Sequence, residues 1–139
     1  MNFKLFSCRV NNIILNEYIQ LANEAEAILS LDVQIPSELP ITAADLYILL
    51  GNTIDNALDA CSALPQEERT IDLQLRMHNQ MLFYRISNPY SQEHIHRKRN
   101  QFHGYGLKNV LECVRRNNGN LEVSDSDNHF TLTALINLL

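Results

Sequence analysis

The sequence predicts an α+β fold: a two-layer sandwich with a mixed, mostly antiparallel sheet and its helices on one face. Three observations predict it. Apolar residues recur at helical spacing in three segments, around 11–29, 43–64 and 105–119. Strand-period stretches occur singly at 29–36 and in pairs at 70–88 and 120–138. The order α-β-α-β-β-loop-α-β-β thus contains two hairpins, whose antiparallel strands gather in one layer and leave the helices to the other.

Each element has its own justification. In "NNIILNEYIQLANEAEAIL" (11–29), Ile14, Leu15, Tyr18, Leu21, Ala22 and Ala25 share one side of a helix. "LSLDVQIP" alternates Leu31, Val33 and Ile35 against Asp32 and Gln34 and stops at Pro36. Thr42 and Asp45 form a T-x-x-D cap that opens the second helix, which the pattern carries to about Leu64, before Pro65. "TIDLQLRM" and "MLFYRISN" read as a hairpin around His78-Asn79-Gln80. Residues 89–103 are polar and aperiodic, a long loop. In "YGLKNVLECVRRNNG", Leu107, Val110, Leu111 and Val114 make an apolar helix face, with Gly119 as its expected stop. The last hairpin puts Phe130, Leu132, Ala134 and Ile136 on one face.

Composition bounds the function. The chain has 139 residues, 45% of them hydrophobic and 19% charged, which suits one globular domain. A net charge of −5 argues against a general nucleic-acid binder. The three cysteines, Cys8, Cys61 and Cys113, form no CxxC pair and read as reduced thiols of a cytoplasmic compartment. No apolar run is long enough to span a bilayer and no signal-peptide pattern is present, so no membrane contact by this chain is expected.

Chemistry enters with "LGNTIDNALDAC", residues 50–61, a helix interrupted by poor helix formers. Asn52, Asp55, Asn56 and Asp59 fall within an arc of roughly 100°, opposite Leu46, Leu50, Thr53, Ile54, Ala57, Cys61 and Leu64. A solvated helix face alone would explain a polar stripe. This one uses only short oxygen-bearing groups, which suit a hard cation such as Mg2+. Two of the chain's four glycines, Gly104 and Gly106, sit in "HGYGLKN" at a loop-to-helix junction. There, backbone N–H groups and the helix dipole favour a phosphate, although a simple turn also produces such a pair. Just upstream, "HIHRKRNQFH" supplies Arg97, Lys98 and Arg99, either a triphosphate clamp or a solvated charge run. His94 and His96 invite a metal reading, but apart from Glu93 no Cys or acidic partner is close by. Cys61 and Cys113 read as small core residues, and Tyr105 and Phe102 as loop packing.

These motifs carry a resemblance. "GNTIDNALDAC" resembles the N box of the GHKL ATPase superfamily, and "HGYGLKNV" looks like that superfamily's second glycine box. Together with "RISNP" and the leading "VNNIILNEYIQLANEA", they resemble the catalytic ATP-binding domain of the peptide-pheromone (quorum-sensing) sensor histidine kinases of two-component systems. The resemblance runs from about residue 9 to the end. It implies ATP and Mg2+ as cofactors, with Asn56 on the metal, Asn52 beside the phosphates and Asp59 near the ribose-phosphate region. Gly104 and Gly106 would offer backbone N–H groups, flanked by His103, Tyr105 and Leu107, and residues about 89–103 would form the ATP lid with Arg97, Lys98 and Arg99. Where the superfamily has D-x-G-x-G, this chain reads Asn88-Pro89-Tyr90-Ser91. Asn88 can still accept a hydrogen bond from adenine but lacks the carboxylate charge, so weak nucleotide binding is expected.

The implied activity moves the γ-phosphoryl of ATP to a His on separate dimerisation helices, and indirectly to a response regulator. None of His78, His94, His96, His103 and His129 has the setting of an acceptor. Residues 1–10 therefore read as the remnant of a preceding linker or dimerisation region, and 11–139 as the catalytic domain, with little turnover alone. No residue of this chain is expected to be catalytic itself. The parent would be anchored in the cell membrane with this part in the cytoplasm. Two alternatives are a free-standing GHKL serine kinase of an anti-sigma pathway and a degenerate, non-catalytic interaction module.

Overall fold

The structure, a computed structural model, describes residues 3–4, 9–92 and 105–138, with side chains from 13–92 and 106–138. Its elements are β1 (Phe3–Lys4), α1 (Arg9–Glu24), β2 (Ile28–Gln34), α2 (Ala43–Cys61), β3 (Thr70–His78), β4 (Met81–Pro89), α3 (Tyr105–Arg116), β5 (Gly119–Ser126) and β6 (His129–Asn137). A single 3-10 turn, Gln66–Glu68, links α2 to β3. The sheet has six strands in the order β1-β2-β3-β4-β6-β5. The pairs β1–β2 and β2–β3 are parallel and the other three antiparallel, so the sheet is mixed, as the sequence predicts. The two-residue β1, set against Leu31 and Asp32, leaves no periodic signal in the sequence.

Alternation along the strands fixes the two faces. Leu29, Leu31, Val33, Ile71, Leu73, Leu75, Leu82, Tyr84, Ile86, Leu132, Ala134 and Ile136 are buried beneath the helices. Their strand neighbours Asp72, Arg76, Arg85 and Leu135 point to the open face, where Arg76 pairs with Asp32. Both hairpins close through two-residue turns, Asn79-Gln80 and Asp127-Asn128, in which all four residues have positive φ, as a twisted antiparallel hairpin requires.

Several boundaries move from their sequence positions, each for a local reason. The expected helix 11–29 ends at Glu24, because Glu26 adopts φ 55° and the Ala27 N–H returns to the Ala22 carbonyl. Helix α2 ends at Cys61 rather than near Leu64, where the Ser62 N–H bonds the carbonyls of Leu58 and Asp59. The last helix stops at Arg116, and Asn118, not Gly119, takes the left-handed φ of 60°. Gly119 serves close approach instead, since a Cβ there would lie 2.6 Å from the Leu135 carbonyl oxygen. Pro89 belongs to β4, and the Tyr90 N–H bonds the Asn128 carbonyl, so the start of the expected 89–103 loop is tied to the β5–β6 turn.

Candidate functional site

Helix α2 is the spine of the site. Thr42 caps it, its Oγ1 accepting from the Asp45 N–H at 3.0 Å, so the predicted cap is present. Its buried side comprises Leu46, Leu49, Leu50, Gly51, Thr53, Ile54, Ala57 and Cys61. Thr53 Oγ1 bonds the Leu49 carbonyl at 2.7 Å and lies 2.6 Å from Tyr84 Oη, an in-core link from helix to sheet. Burial pushes the Tyr84 hydroxyl pKa up, against the lowering effect of its bond to Thr53. This link is worth keeping: an unsatisfied buried hydroxyl costs about 1–3 kcal/mol.

The polar stripe is not one surface. Asn52 is half-buried, and its Nδ2 donates to the Ile48 carbonyl at 2.9 Å, which turns Oδ1 outward. A Cβ built on Gly106, in the first turn of α3, would lie 3.4 Å from Asn52 Oδ1 and 3.5 Å from Asn56 Nδ2. Three residues quoted from two separate motifs therefore meet at one place. Asp55, beside Asn56, has its carboxyl pKa raised first by lost hydration and then by Glu17 of α1. Asp59 is exposed one turn further on, its carbonyl accepting from Ser62 Oγ at 2.6 Å.

On the sheet side, Asn88 is 3% exposed at the end of β4, on the face that meets the helices. Its Nδ2 donates to the Pro89 carbonyl at 3.0 Å. That bond orients the carboxamide and leaves its oxygen as the acceptor on offer. Tyr90 is buried beside it and hydrogen-bonds Asp125. Leu107 packs against the core from α3, a supporting place rather than an open one. Tyr105 begins α3, but its side chain lies outside the described residues, as do Arg97, Lys98, Arg99, His103 and Gly104. The His94/His96 pair and Phe102 lie outside them too. Among the described residues no cluster of His, Cys, Asp and Glu has the form of a metal site.

Both helical cysteines are buried, as their placement in the sequence suggests. Burial pushes the Cys61 thiol up to about 11, with Arg69 opposing, and burial raises Cys113 as well. At both, burial disfavours the thiolate, the reactive form of the side chain.

Three features escape the sequence reading. Gly51 looks like a helix defect, yet a Cβ there would lie 2.6 Å from Tyr18 Oη, so glycine lets α1 pack against α2. A mid-helix glycine on the side facing another helix is the signal that could have found it. Arg69 donates to the carbonyls of Ala25 at 3.0 Å, Leu64 at 2.9 Å and Ser62 at 3.4 Å, placing a cation where the chain leaves α1 and α2. Asp45, legible only as a cap, also accepts from Arg116, the last residue of α3, and from Asn117 just after it.

The comparisons with known proteins agree with this architecture. A family model described as GHKL domain matches residues 41–137, well over half of the chain. The histidine kinase AdeS of Acinetobacter baumannii is similar in structure, with a TM-score of 0.67 and 18% identity over 93% of this chain. This chain covers 63% of that one. The catalytic domain of histidine kinase ThkA, in a nucleotide-free form, gives a TM-score of 0.64 at 13% identity, covering 92% of this chain and 93% of its own. No curated protein sequence matches. At such identities the two structures speak for the fold. The family model speaks for the lineage, and on it the chain belongs to the GHKL family.

Proposed function

We propose that this chain is the ATP- and Mg2+-binding catalytic domain of a two-component sensor histidine kinase of the peptide-pheromone type. The observation that carries the reading is Gly106 seated against Asn52 and Asn56. A side chain at 106 would occupy the space above both carboxamides. Its absence leaves a cradle bounded by an outward-turned amide oxygen and the start of a helix, where N–H groups and the helix dipole favour anions.

The residues present fit Mg2+. Asn56 is exposed and makes no hydrogen bond among the described residues, so its carboxamide is available to a hard cation whose other ligands are phosphate and water. Bound there, Mg2+ would neutralise triphosphate charge. Asn52 would line the phosphate path, and Asp59 the ribose-phosphate region one turn on. Asn88, oriented by Pro89, would accept from the exocyclic amino group of adenine. Gly104, Tyr105, His103, Arg97, Lys98 and Arg99 would close the triphosphate side.

Phosphoryl transfer of this kind is catalysed chiefly by positioning and charge neutralisation. The acceptor would be a His on the dimerisation helices of the parent kinase, with a response regulator downstream. No described helix is long and apolar enough to cross a membrane. A cytoplasmic setting for this domain, in a membrane-anchored parent, is part of the proposal.

The test is calorimetric titration with ATP or a non-hydrolysable analogue, with and without Mg2+. Saturable binding that Mg2+ tightens, even in the high-micromolar range, supports the reading. No binding at millimolar nucleotide would make the chain an interaction module.

A further inference from the structure

The stripe of α2 that bears Asn52 and Asn56 begins at Asp45. Positions 45, 52 and 56 are spaced i, i+7 and i+11, so they share one side of the helix within about 40°. Asp45 Oδ1 accepts from Arg116 Nη2 at 2.7 Å and from Nε at 3.3 Å, and its Oδ2 accepts from Asn117 Nδ2 at 3.0 Å. The Cys113 thiol points at the Asp45 carbonyl oxygen at 3.3 Å, and Asn117 Nδ2 also donates to the Cys113 carbonyl at 2.8 Å. The first turn of α2 is thereby clasped to the last turn of α3. The helices run antiparallel, since the other end of α3 brings Gly106 to Asn52 and Asn56.

Between these ends α3 presents Val110, Cys113 and Val114, all buried. The hydrophobic attraction among them is non-directional. Gly106, lacking a side chain, has nothing with which to grip α2. Among the described residues, the polar contacts between α3 and α2 are therefore concentrated at the clasp, about 15 Å along the helix from Gly106.

We infer that Asp45 is a positioning residue for the nucleotide site: through Arg116 and Asn117 it sets the axial position of α3, and so the seat of Gly106 over Asn52 and Asn56. The inference rests on the ATP reading above. It does not make Asp45 a ligand, because it bonds the far end of α3 and acts only through that helix.

The test compares the wild type with the double variant Arg116→Ala, Asn117→Ala, well below the melting temperature of either. A third protein, Ile71→Val, serves as a control that lowers stability through the buried face of β3, away from the clasp. The double variant is expected to bind ATP–Mg2+ about three- to tenfold more weakly, a loss of the kind misplaced groups produce. In the nucleotide-free protein, its Gly106 amide and Asn52 and Asn56 carboxamide NMR signals should shift while those of the β3–β4 hairpin stay. The control should lose melting temperature with neither effect. Should the double variant not fold, Arg116→Ala alone carries the same comparison, because that side chain is half exposed. Wild-type affinity and unshifted signals in a folded variant would overturn the positioning role alone. A wild type that binds no nucleotide would bring down the functional reading, and this inference with it.

Discussion

Gly106 lies over the carboxamide of Asn52, so close that a Cβ would sit 3.4 Å from its Oδ1. That distance is ordinary van der Waals contact, so Gly106→Ala should fold. Alanine is also the better helix former, by up to about 1 kcal/mol in a helix interior. The methyl group would nonetheless fill the space that the proposed phosphates need. Melting temperature is expected to hold or rise slightly while Mg2+-dependent ATP binding falls by at least tenfold. Undiminished binding in the calorimeter would remove this cradle from the site.

Asn56→Ala isolates the proposed metal ligand. The side chain is exposed and its replacement favours helix, so circular dichroism and melting should be unchanged or improved. The enhancement of ATP binding by Mg2+ should disappear. Retention of that enhancement would assign the metal to another group.

Gly51 and Tyr18 predict a rescue. A methyl at 51 would meet Tyr18 Oη at 2.6 Å, and Tyr18 is only 3% exposed, with little room to withdraw. Gly51→Ala should destabilise by about 1–3 kcal/mol, as overpacking does. Removing the hydroxyl with Tyr18→Phe leaves the ring's nearest carbon 3.5 Å from that methyl, so the double variant should recover much of the loss. Additive effects in a denaturant double-mutant cycle would show that the two residues do not meet.

Asp45 predicts a pH dependence. The Arg116 hydrogen bond, then Asn117, hold its carboxyl below the ordinary carboxylate range, with burial opposing. A pKa lowered on folding adds stability above the unfolded value, about 3.9 for Asp. That stability is lost as pH falls through the lower folded value. The melting gap between wild type and Asp45→Asn should stay level from pH 7 to about pH 5, then shrink in acid. A gap undiminished at the lowest accessible pH would mean that charge is not what Asp45 contributes.

Much of this was open to a reader of the chain alone. The alternation in "TIDLQLRM" and "MLFYRISN" sets the two faces of the central hairpin, because side chains leave a strand to opposite sides in turn. Thr42 and Asp45 mark the start of α2 by a contact made within three residues. The oxygen-bearing stripe of α2 and the glycines of "HGYGLKN" are likewise visible, since helical period and loop composition are local properties. The stop of α3 was not: Asn118 takes the left-handed turn, and Gly119 is needed because the Leu135 carbonyl comes too close for any Cβ.

By itself, then, the sequence determined every element but β1, their order, most of the buried side of each (Leu21 of α1, 38% exposed, is an exception) and the chemical character of the α2 stripe. All of these follow from interactions between residues a few positions apart. Only the tertiary structure decided that Asn52 and Asn56 face Gly106, that Gly51 accommodates Tyr18, and that Asp45 meets Arg116 and Asn117. Those are contacts between segments far apart in the chain. Periodicity says which side of a helix is covered, but packing of the whole decides what covers it.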